Sequence, residues 1–305
     1  MIVVAGEALV DLLPGPEGSL VPVPGGGPYN AARAIGRLGL DVAWLGGLSI
    51  DPFGQMLEAG LAADGVRVDL VQRTNLPTTL ALAELDATGS ASYRFYTEGT
   101  SAPQLVPGVV PAGLPVGTRA VHAGTLGFVL EPMATTLEAL VASLPDSLLL
   151  LVDPNCRPSI TRDPSAYGER VERVLRRADV VKVSTEDLAF LRPGMDTGDA
   201  ARWVASLGPR AVLVTDGGAA VRVLAAGTAH TVEVPRVDVI DTVGAGDTFG
   251  AAALAWLVRR GVVRATLDAD AALGAARFAA RAAAITCTRA GADPPTVADL
   301  GGWPV

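Results

Sequence analysis

Short apolar segments alternate with helical ones along almost the whole of this 305-residue chain. Several of the apolar segments lack polar residues, as is usual for strands that are buried on both faces of a parallel sheet. The alternation predicts an α/β fold with a doubly wound, mostly parallel sheet in three layers. The length suits one such domain with an appended piece, or two domains. We expect strands at 2–4, 42–45, 120–122, 148–152, 180–183, 211–214, 221–224 and 231–234, and helices at 31–38, 55–63, 133–144, 167–178, 185–191, 199–207, 248–258 and 268–284.

One region departs from this pattern. Residues 78–86 and 92–97 alternate between apolar and polar side chains with a period of two, and Ala87-Thr-Gly-Ser90 between them is typical of a hairpin turn. The alternation places Arg94 on the face opposite Tyr93 and Phe95. A small antiparallel unit is therefore expected beside the main sheet.

The segment Asp241-Thr-Val-Gly-Ala-Gly-Asp-Thr-Phe-Gly250 predicts an anion-binding turn. Glycines at 244 and 246 let successive amides point into one concavity, and the helix expected after them adds the positive end of its dipole. A carboxylate at the mouth of such a turn, Asp247, suits a general base that acts beside a transferred phosphoryl group. The alternative is an ordinary helix entry in which Asp247 or Thr248 is the N-cap.

A second glycine cluster, Gly25-Gly-Gly27, precedes a helical segment near the N-terminus and is followed by Asn30. Adjacent glycines allow a ligand to approach the backbone closely, and an asparagine amide both donates and accepts hydrogen bonds, as sugar hydroxyls require. Asp11 is expected to end the first apolar strand, where its carboxylate can chelate a vicinal diol. A turn residue is the alternative for Asp11.

These two clusters, with Asp51-Pro-Phe-Gly54, Asp153-Pro-Asn-Cys-Arg-Pro158, Val214-Thr-Asp-Gly-Gly218 and Arg289-Ala-Gly-Ala-Asp-Pro294, resemble the motifs of the ribokinase-like (PfkB) carbohydrate kinases in order and distance. Within that family the chain is most similar to the bacterial fructokinases. The resemblance spans essentially the whole chain and implies a single domain, residues 1–305. It implies an ATP-dependent kinase that uses magnesium and transfers the γ-phosphoryl group to a primary hydroxyl, most simply that of fructose. Kinases of 2-keto-3-deoxygluconate, ribose or nucleosides are the alternatives within the family, and a catalytically inactive sugar sensor is the alternative outside catalysis.

The resemblance also implies residue roles. Asp247 is the expected base, and the amides of Gly244, Ala245 and Gly246 form the anion hole. A small β-sheet lid, segments about 12–24 and 76–98, would cover the sugar and exclude water. The expected sugar ligands are Asp11, Gly26, Gly27, Asn30, Tyr93, Arg94, Phe95, Asn155 and Arg157. Asn155 and Arg157 could instead only brace their loop.

The nucleotide and ion sites are also expectations from the resemblance. Thr215, Gly217, Gly218 and Ser184 would lie beside the nucleotide, although the first three read equally well as a turn without a ligand. Ser184-Thr-Glu-Asp187 stands where the family has Asn-x-x-Glu, so Asp187 would reach magnesium through water. Asp241, Val243 and Gly291 match the positions of a monovalent cation site, which makes potassium a candidate ligand.

Composition excludes several other classes. Lys182 is the only lysine among 24 lysine and arginine residues, and Val183 follows it, so a Walker A phosphate loop is excluded. A net charge of −8 argues against a nucleic-acid partner. Glu7 and Asp11 interrupt the N-terminal apolar run, which therefore predicts neither a signal peptide nor a membrane span. Two cysteines without metal-ligand spacing suit reduced thiols in the cytoplasm, and a single disulfide between them is the alternative. Open lid edges would allow a homodimer.

Overall fold

A computed structural model describes residues 1–85, 91–107 and 113–304. The predicted α/β alternation is confirmed. The strands are β1 Ile2–Ala5, β2 Leu9–Pro14, β3 Leu20–Gly25, β4 Val42–Ser49, β5 Val71–Thr74, β6 Leu80–Leu85, β7 Ala91–Tyr96, β8 Ala120–Gly124, β9 Leu149–Asp153, β10 Val180–Ser184, β11 Ala211–Thr215, β12 Val221–Ala225 and β13 Thr228–Val232. The helices are α1 Gly27–Arg37, α2 Pro52–Ala63, α3 Met133–Ser143, α4 Pro164–Arg177, α5 Thr185–Leu191, α6 Thr197–Ser206, α7 Ala245–Arg259 and α8 Ala269–Cys287.

Nine strands form the main sheet, in the order β13-β12-β11-β10-β9-β8-β1-β4-β5. The strands from β11 to β5 are parallel, and β12 and β13 add an antiparallel end. The sequence reading missed β5, because the edge segment Val-Gln-Arg-Thr is only partly buried and carries little apolar signal. It also placed the start of β13 three residues too late and its end two residues too late.

Helices cover both faces of the main sheet, as a three-layer fold requires. Ile2 and Val4 of β1 pack into a cluster with α1, α2, α7 and α8. Val3 and Ala5 point the other way, into a cluster with α3, α4, α5 and α6. Alternate residues of one buried strand therefore serve two cores, which is why these strands are continuously apolar. In the described ranges, no helix combines the length and hydropathy that crossing a bilayer would need.

The second sheet has the order β3-β2-β6-β7 and confirms the predicted small β unit. It corrects the position of Asp11. This residue lies in the middle of β2, opposite Val23 of β3 and Ala81 of β6, and not at the end of the first strand. The chain leaves β1 at Gly6, whose φ of 149° fits only glycine, and enters the small sheet directly. The hairpin turn expected at 87–90 lies outside the described residues.

Five of the described helices, α1, α2, α4, α6 and α7, begin two to four residues earlier than the sequence pattern indicated. α1 begins at Gly27 and α7 at Ala245, with Gly26 and Gly244 as their N-caps. Asp247 is therefore the third residue of α7, and the alternative in which Asp247 or Thr248 caps the helix is wrong. Polar or small residues at a helix start dilute the apolar periodicity from which a boundary is read.

Candidate active site

A cavity of about 300 Å³ lies between the carboxyl ends of the main-sheet strands and one face of the small sheet. β1 and β8 are neighbours at this point, and the chain leaves β1 for one side of the sheet and β8 for the other. Ligands of open α/β sheets bind at such switch points. The cavity brings together many predicted site residues: Asp11, Gly26, Gly27, Asn30, Tyr93, Phe95, Asn155, Arg157, Gly244, Gly246 and Asp247.

Asp247 lies in the first turn of α7, and two asparagine amides hold its carboxylate. Asn30 Nδ2 donates to Asp247 Oδ2 at 2.9 Å, and Asn155 Nδ2 approaches Asp247 Oδ1 at 3.5 Å. Burial raises the pKa of Asp247, whereas the Asn30 hydrogen bond and the charges of Lys182 and Arg157 lower it. The carboxylate thus has a fixed orientation and a proton affinity above that of an exposed aspartate, as a general base needs.

The turn before α7 provides free amides beside this carboxylate. The amides of Ala245 and Thr248 bond to backbone oxygens of the turn. Those of Gly246 and Asp247, which lie between them, have no such bond within the described residues. Unpaired amides of a helix's first turn, together with the helix dipole, favour an anion. The prediction is therefore wrong for the Ala245 amide, which donates to the Thr242 carbonyl oxygen at 3.2 Å, and the free amide beside that of Gly246 is the one of Asp247. Anion binding by this turn stays a prediction.

The two glycines of this turn are needed for different reasons. Gly244 has a φ of 74°, and a Cβ on it would lie 2.6 Å from the Cβ of Ala292. Gly246 has no left-handed φ, so the sequence argument that both glycines serve the turn is wrong for it. A Cβ on Gly246 would instead lie 3.1 Å from Lys182 Nζ. Gly246 leaves room for a buried side chain.

The Gly27 backbone passes close to the Asp247 carboxylate. A Cβ on Gly27 would lie 2.5 Å from Thr125 Oγ1 and 3.1 Å from Asp247 Oδ1. Thr125 and Asn155, which follow β8 and β9, both have a positive φ, of 54° and 41°. Left-handed backbone in residues other than glycine is uncommon, most of all in a β-branched residue, and it often marks functional sites.

Asp11 faces the same cavity from the small sheet. Burial raises the pKa of Asp11 to about 6, and the Asp247 charge adds to this increase while Arg157 opposes it. A carboxylate in mid-strand is held more rigidly than one at a strand end. Its position suits hydrogen bonds to hydroxyl groups of a ligand.

The small sheet separates Arg94 from its neighbours, as the period of two predicted. Tyr93 and Phe95 line the cavity, with ring centroids 6.5 Å apart. Arg94 lies on the opposite face, is 62% exposed and donates to Glu84 Oε1 at 2.9 Å. Its expected sugar contact therefore finds no support in the structure, because a β-strand presents successive side chains to opposite faces.

Arg157 combines the two alternatives that the sequence left open. Its Nη1 donates to the carbonyl oxygens of Asn155 and Cys156, at 3.1 Å each, so it braces the loop after β9. It also lines the cavity and lowers the pKa values of Asp11 and Asp247 there. Bracing fixes the guanidinium as the positive charge of an otherwise acidic pocket.

Sequence reasoning missed Glu7 and Thr125 as cavity residues. Glu7 is fully buried, and its two carboxylate oxygens accept from the amides of Gly27 and Gly127, each at 3.2 Å. Burial raises the pKa of Glu7 to about 8. An acidic residue directly after a buried strand was the available signal, and it was used only to argue against a signal peptide.

The predicted nucleotide residues lie outside this cavity, at the ends of neighbouring strands. Thr215 ends β11, and Gly217, with a φ of 50°, and Gly218 form the exposed turn after it. Ser184 ends β10 and caps α5. Asp187 accepts from the amides of Cys156 at 2.6 Å and Ser184 at 2.8 Å, one on each carboxylate oxygen. The structure thus gives Asp187 a structural role, and its contact with magnesium stays a prediction.

Asp241, Val243 and Gly291 do come together. Asp241 accepts from the Val243 amide at 3.0 Å with one carboxylate oxygen and from the Gly291 amide at 2.8 Å with the other. This carboxylate ties the anion-binding turn to the segment after α8. Cation binding at this point stays a prediction.

Within the described ranges, no three histidine, cysteine, aspartate or glutamate residues are grouped as a metal centre. Mg²⁺ commonly binds through one or two carboxylates together with substrate phosphates and water. The donor set of this chain fits a metal that enters with phosphates, and it does not form a closed protein cage.

Comparison with known proteins agrees with this geometry. The model of the pfkB family of carbohydrate kinases matches residues 1–299. This chain belongs to the pfkB family of carbohydrate kinases.

Relatives of this pfkB kinase include a fructokinase of Rhizobium leguminosarum bv. trifolii. It is 36% identical over 262 residues, which cover 84% of this chain and 79% of the relative. A fructokinase of Xylella fastidiosa solved with bound ATP superposes with a TM-score of 0.89 at 27% identity, covering 98% of this chain and 96% of its own. A fructokinase double mutant of Vibrio cholerae O395, solved with fructose, ADP and potassium, gives 0.88 at 27% identity with coverage of 98% and 96%.

Proposed function

We propose that this pfkB kinase is an ATP-dependent fructokinase that phosphorylates a primary hydroxyl of fructose. The observation that carries the proposal is the Asp247 carboxylate in the first turn of α7, which accepts from Asn30 at 2.9 Å and lines a small polar cavity. The fructokinase relatives, two of them solved with ATP or with fructose and ADP, support the choice of substrates.

In the reaction, Asp247 accepts the proton of the attacking hydroxyl. The hydroxyl oxygen forms a bond to the γ-phosphorus, the bond from that phosphorus to the bridging oxygen breaks, and ADP leaves with the electron pair. The free amides of Gly246 and Asp247 stabilise the charge on the transferred group. Asn30 and Asn155 keep the carboxylate oriented toward the hydroxyl, so little reorganisation is needed at the moment of transfer.

The small sheet provides the sugar side of the site. Asp11 accepts hydrogen bonds from a pair of sugar hydroxyls, and the Gly26-Gly27 backbone allows close approach of the ring. Tyr93 and Phe95 form an apolar wall that excludes water, which would otherwise compete with the sugar as the phosphoryl acceptor. The sugar is thereby held between an acid on β2 and the catalytic acid on α7.

The nucleotide is placed beside Thr215, Gly217 and Gly218, at the carboxyl edge next to the anion-binding turn. Mg²⁺, bound with the phosphates and near Ser184 and Asp187, would neutralise their charge. Asp241, Val243 and Gly291 would hold potassium behind the turn, and the solved Vibrio cholerae relative contains a potassium ion. A homodimer through the open edges of β3 and β7 also stays a prediction.

The test is ADP release by the purified protein with a panel of fructose, ribose, 2-keto-3-deoxygluconate and adenosine. We expect the highest kcat/KM with fructose. A higher kcat/KM with another acceptor would mean that the protein is a kinase but that fructose is not its preferred substrate. Sugar binding without turnover of any acceptor would contradict the kinase and favour a sugar sensor.

A further inference from the structure

Lys182, the only lysine of the chain, is buried in the middle of the main sheet. It lies on β10 with a side chain 5% exposed, and its Nζ is 3.0 Å from Asp153 Oδ2 and 3.3 Å from Oδ1. Asp153 ends β9 and is 3% exposed in its side chain. Burying an ammonium is costly even with a partner, so a buried pair calls for a reason other than stability.

The ammonium is not fully paired. It has three N–H donors, and in the part of the chain that the structure describes Asp153 is the one residue that accepts from it. Its position is directly against the first turn of α7, where a Cβ on Gly246 would lie 3.1 Å from Nζ. A cation therefore sits next to the free amides of the anion-binding turn, one residue before the catalytic acid.

The charges around this point come from several elements. Lys182 is faced by Asp153 on β9, Asp187 on α5, Asp247 on α7 and the uncharged His122 on β8. Burial lowers the pKa of Lys182, but these three carboxylates offset it and the net direction is upward. The ammonium is thus positively charged at every pH at which the kinase would be assayed.

Asp247 is faced by two cations and by two acids of the sugar side. Lys182 and Arg157 favour its ionised form. The acids are Glu7 and Asp11, whose own pKa values the Asp247 charge raises. Arg157 is tied to its loop carbonyls and partly exposed, whereas Lys182 is buried, so its field at Asp247 is screened less by water.

We propose that Lys182 is a positioning residue of phosphoryl transfer: its ammonium, anchored by Asp153 beneath the first turn of α7, keeps the Asp247 carboxylate ionised and supports the charge of the anion-binding turn. Asp153 sets the place of the ammonium, and Gly246 leaves the space for it. Arginine would not replace it, because a planar guanidinium is bulkier and needs several acceptors. This requirement explains a lone lysine in a chain whose other 23 lysine or arginine residues are all arginine.

The test is the pH profile of kcat for Lys182→Met, a substitution of similar length without charge. It rests on the proposed function, so wild-type turnover with the sugar panel comes first. We expect the acidic limb of the profile to move up by at least one pH unit, with a loss of tenfold or more at neutral pH that is partly recovered at pH 9. An equal loss at every pH, with the limb in its wild-type place, would overturn the proposal.

Asp153→Asn provides the opposite perturbation. It removes the neutralising charge and leaves the ammonium, so the acidic limb should move down. Opposite shifts in the two variants are not expected of a purely structural ion pair. Since Asp153→Asn keeps the volume of the pair, it also tests the proposal if Lys182→Met does not fold: an unmoved or raised limb in Asp153→Asn would count against it.

Arg264→Met is the matched control. Arg264 pairs with the fully buried Asp179, which directly precedes β10 and lies at the end of that strand away from the cavity. We expect lower thermal stability and an unmoved pH profile. If the pH profile of Arg264→Met shifted as much as that of Lys182→Met, the shift would not be specific to the charge of Lys182, and the proposal would be wrong.

A titration that does not depend on turnover tests the role of Lys182 separately from the proposed fructokinase activity. In protein labelled with ¹³C at aspartate carboxyls, the Asp247 signal is identified by its loss in Asp247→Asn. Lys182→Met should raise the titration midpoint of that signal by at least one pH unit. If the midpoint stays at its wild-type value, the proposal is wrong whatever the enzyme phosphorylates.

Discussion

Single side chains of the site are held by partners that lie far away in the sequence. Asn30 contacts Asp247 across 217 positions, and Glu7 reaches the amide of Gly127 across 120. No local pattern encodes such pairs. The glycines and the isolated acid at a strand-to-helix junction nevertheless indicated part of the cavity, because they restrict the local chemistry strongly. Tyr93, Phe95, Asn155 and Arg157 were predicted from the resemblance to the family.

Lys182 and Glu7 show where residue-level reading stops. From the sequence alone, Lys182 served only to exclude a Walker A phosphate loop, and Glu7 served only to exclude a signal peptide. Their positions beside Gly246 and Gly27 depend on how strands and helices pack. A charged residue in an apolar strand indicates that it has a buried partner, but which residue is the partner depends on the tertiary structure.

Asp11 gives a prediction at this scale. Burial raises its pKa to about 6, so its carboxylate loses one acceptor as the pH falls through that value. We expect the KM for fructose to rise below pH 6. Asp11→Asn should raise KM by roughly tenfold or more, the cost of hydrogen bonds to a charged group, and should remove most of the pH dependence. Initial rates between pH 5 and 8 measure both, and an unchanged KM in the variant would exclude Asp11 as a sugar ligand.

Elements were predicted well where they are long and apolar. The continuous apolar strands and the eight α-helices of the described residues were predicted, with α5 at its observed bounds. Errors gathered at the ends and edges: β5 carries polar residues, and α1 and α7 begin with small ones. Propensity and periodicity average over several residues, so they cannot resolve a helix start that consists of glycine, proline and asparagine.

The start of α7 gives a prediction for an element. Gly244 combines a φ of 74° with a blocked Cβ position against Ala292. Gly244→Ala should therefore destabilise the protein in two ways: the backbone at residue 244 would be strained, and the new methyl group would clash with Ala292. A left-handed conformation alone costs about 1–2 kcal/mol in a residue with a Cβ, so the free energy of unfolding should fall by more than that. kcat should fall at least tenfold, because the clash displaces the amides of the turn.

Gly65→Ala is the control for that variant. Gly65 has nearly the same φ, 76°, and has nothing within 4 Å of a Cβ. Chemical unfolding should show only the conformational cost, and kinetic assays should show wild-type kcat. Equal losses of stability and activity in the two variants would mean that the packing of Gly244 against Ala292 has no part in the site.

The whole molecule concentrates buried acids around one cavity, and this has a consequence for stability. Burial raises the pKa of Glu7 to about 8 and of Asp11 to about 6. Between the unfolded and folded pKa values the folded state binds more protons than the unfolded state. Stability therefore falls as the pH rises through this window, by at most about 1.4 kcal/mol per pH unit for each group.

Glu7→Gln isolates the contribution of Glu7 to the pH dependence of stability, which should be the largest because its pKa is raised the most. The variant cannot ionise, so its stability should depend less on pH than that of the wild type, above all between pH 6 and 8. The amide faces two backbone donors and should lower stability at pH 6. Unfolding by guanidinium at several pH values gives the slopes. Parallel curves for variant and wild type would show that Glu7 does not titrate in this range.

The central claim is that the carboxylate of Asp247 accepts the proton of the sugar hydroxyl beside the amides of α7. The most direct test is kcat of Asp247→Asn, which keeps the size of the side chain and an oxygen that can accept from Asn30. A general base contributes roughly 10²–10⁴-fold, and we predict a loss of that order with fructose binding retained. Phosphorylation at the wild-type rate would contradict the account.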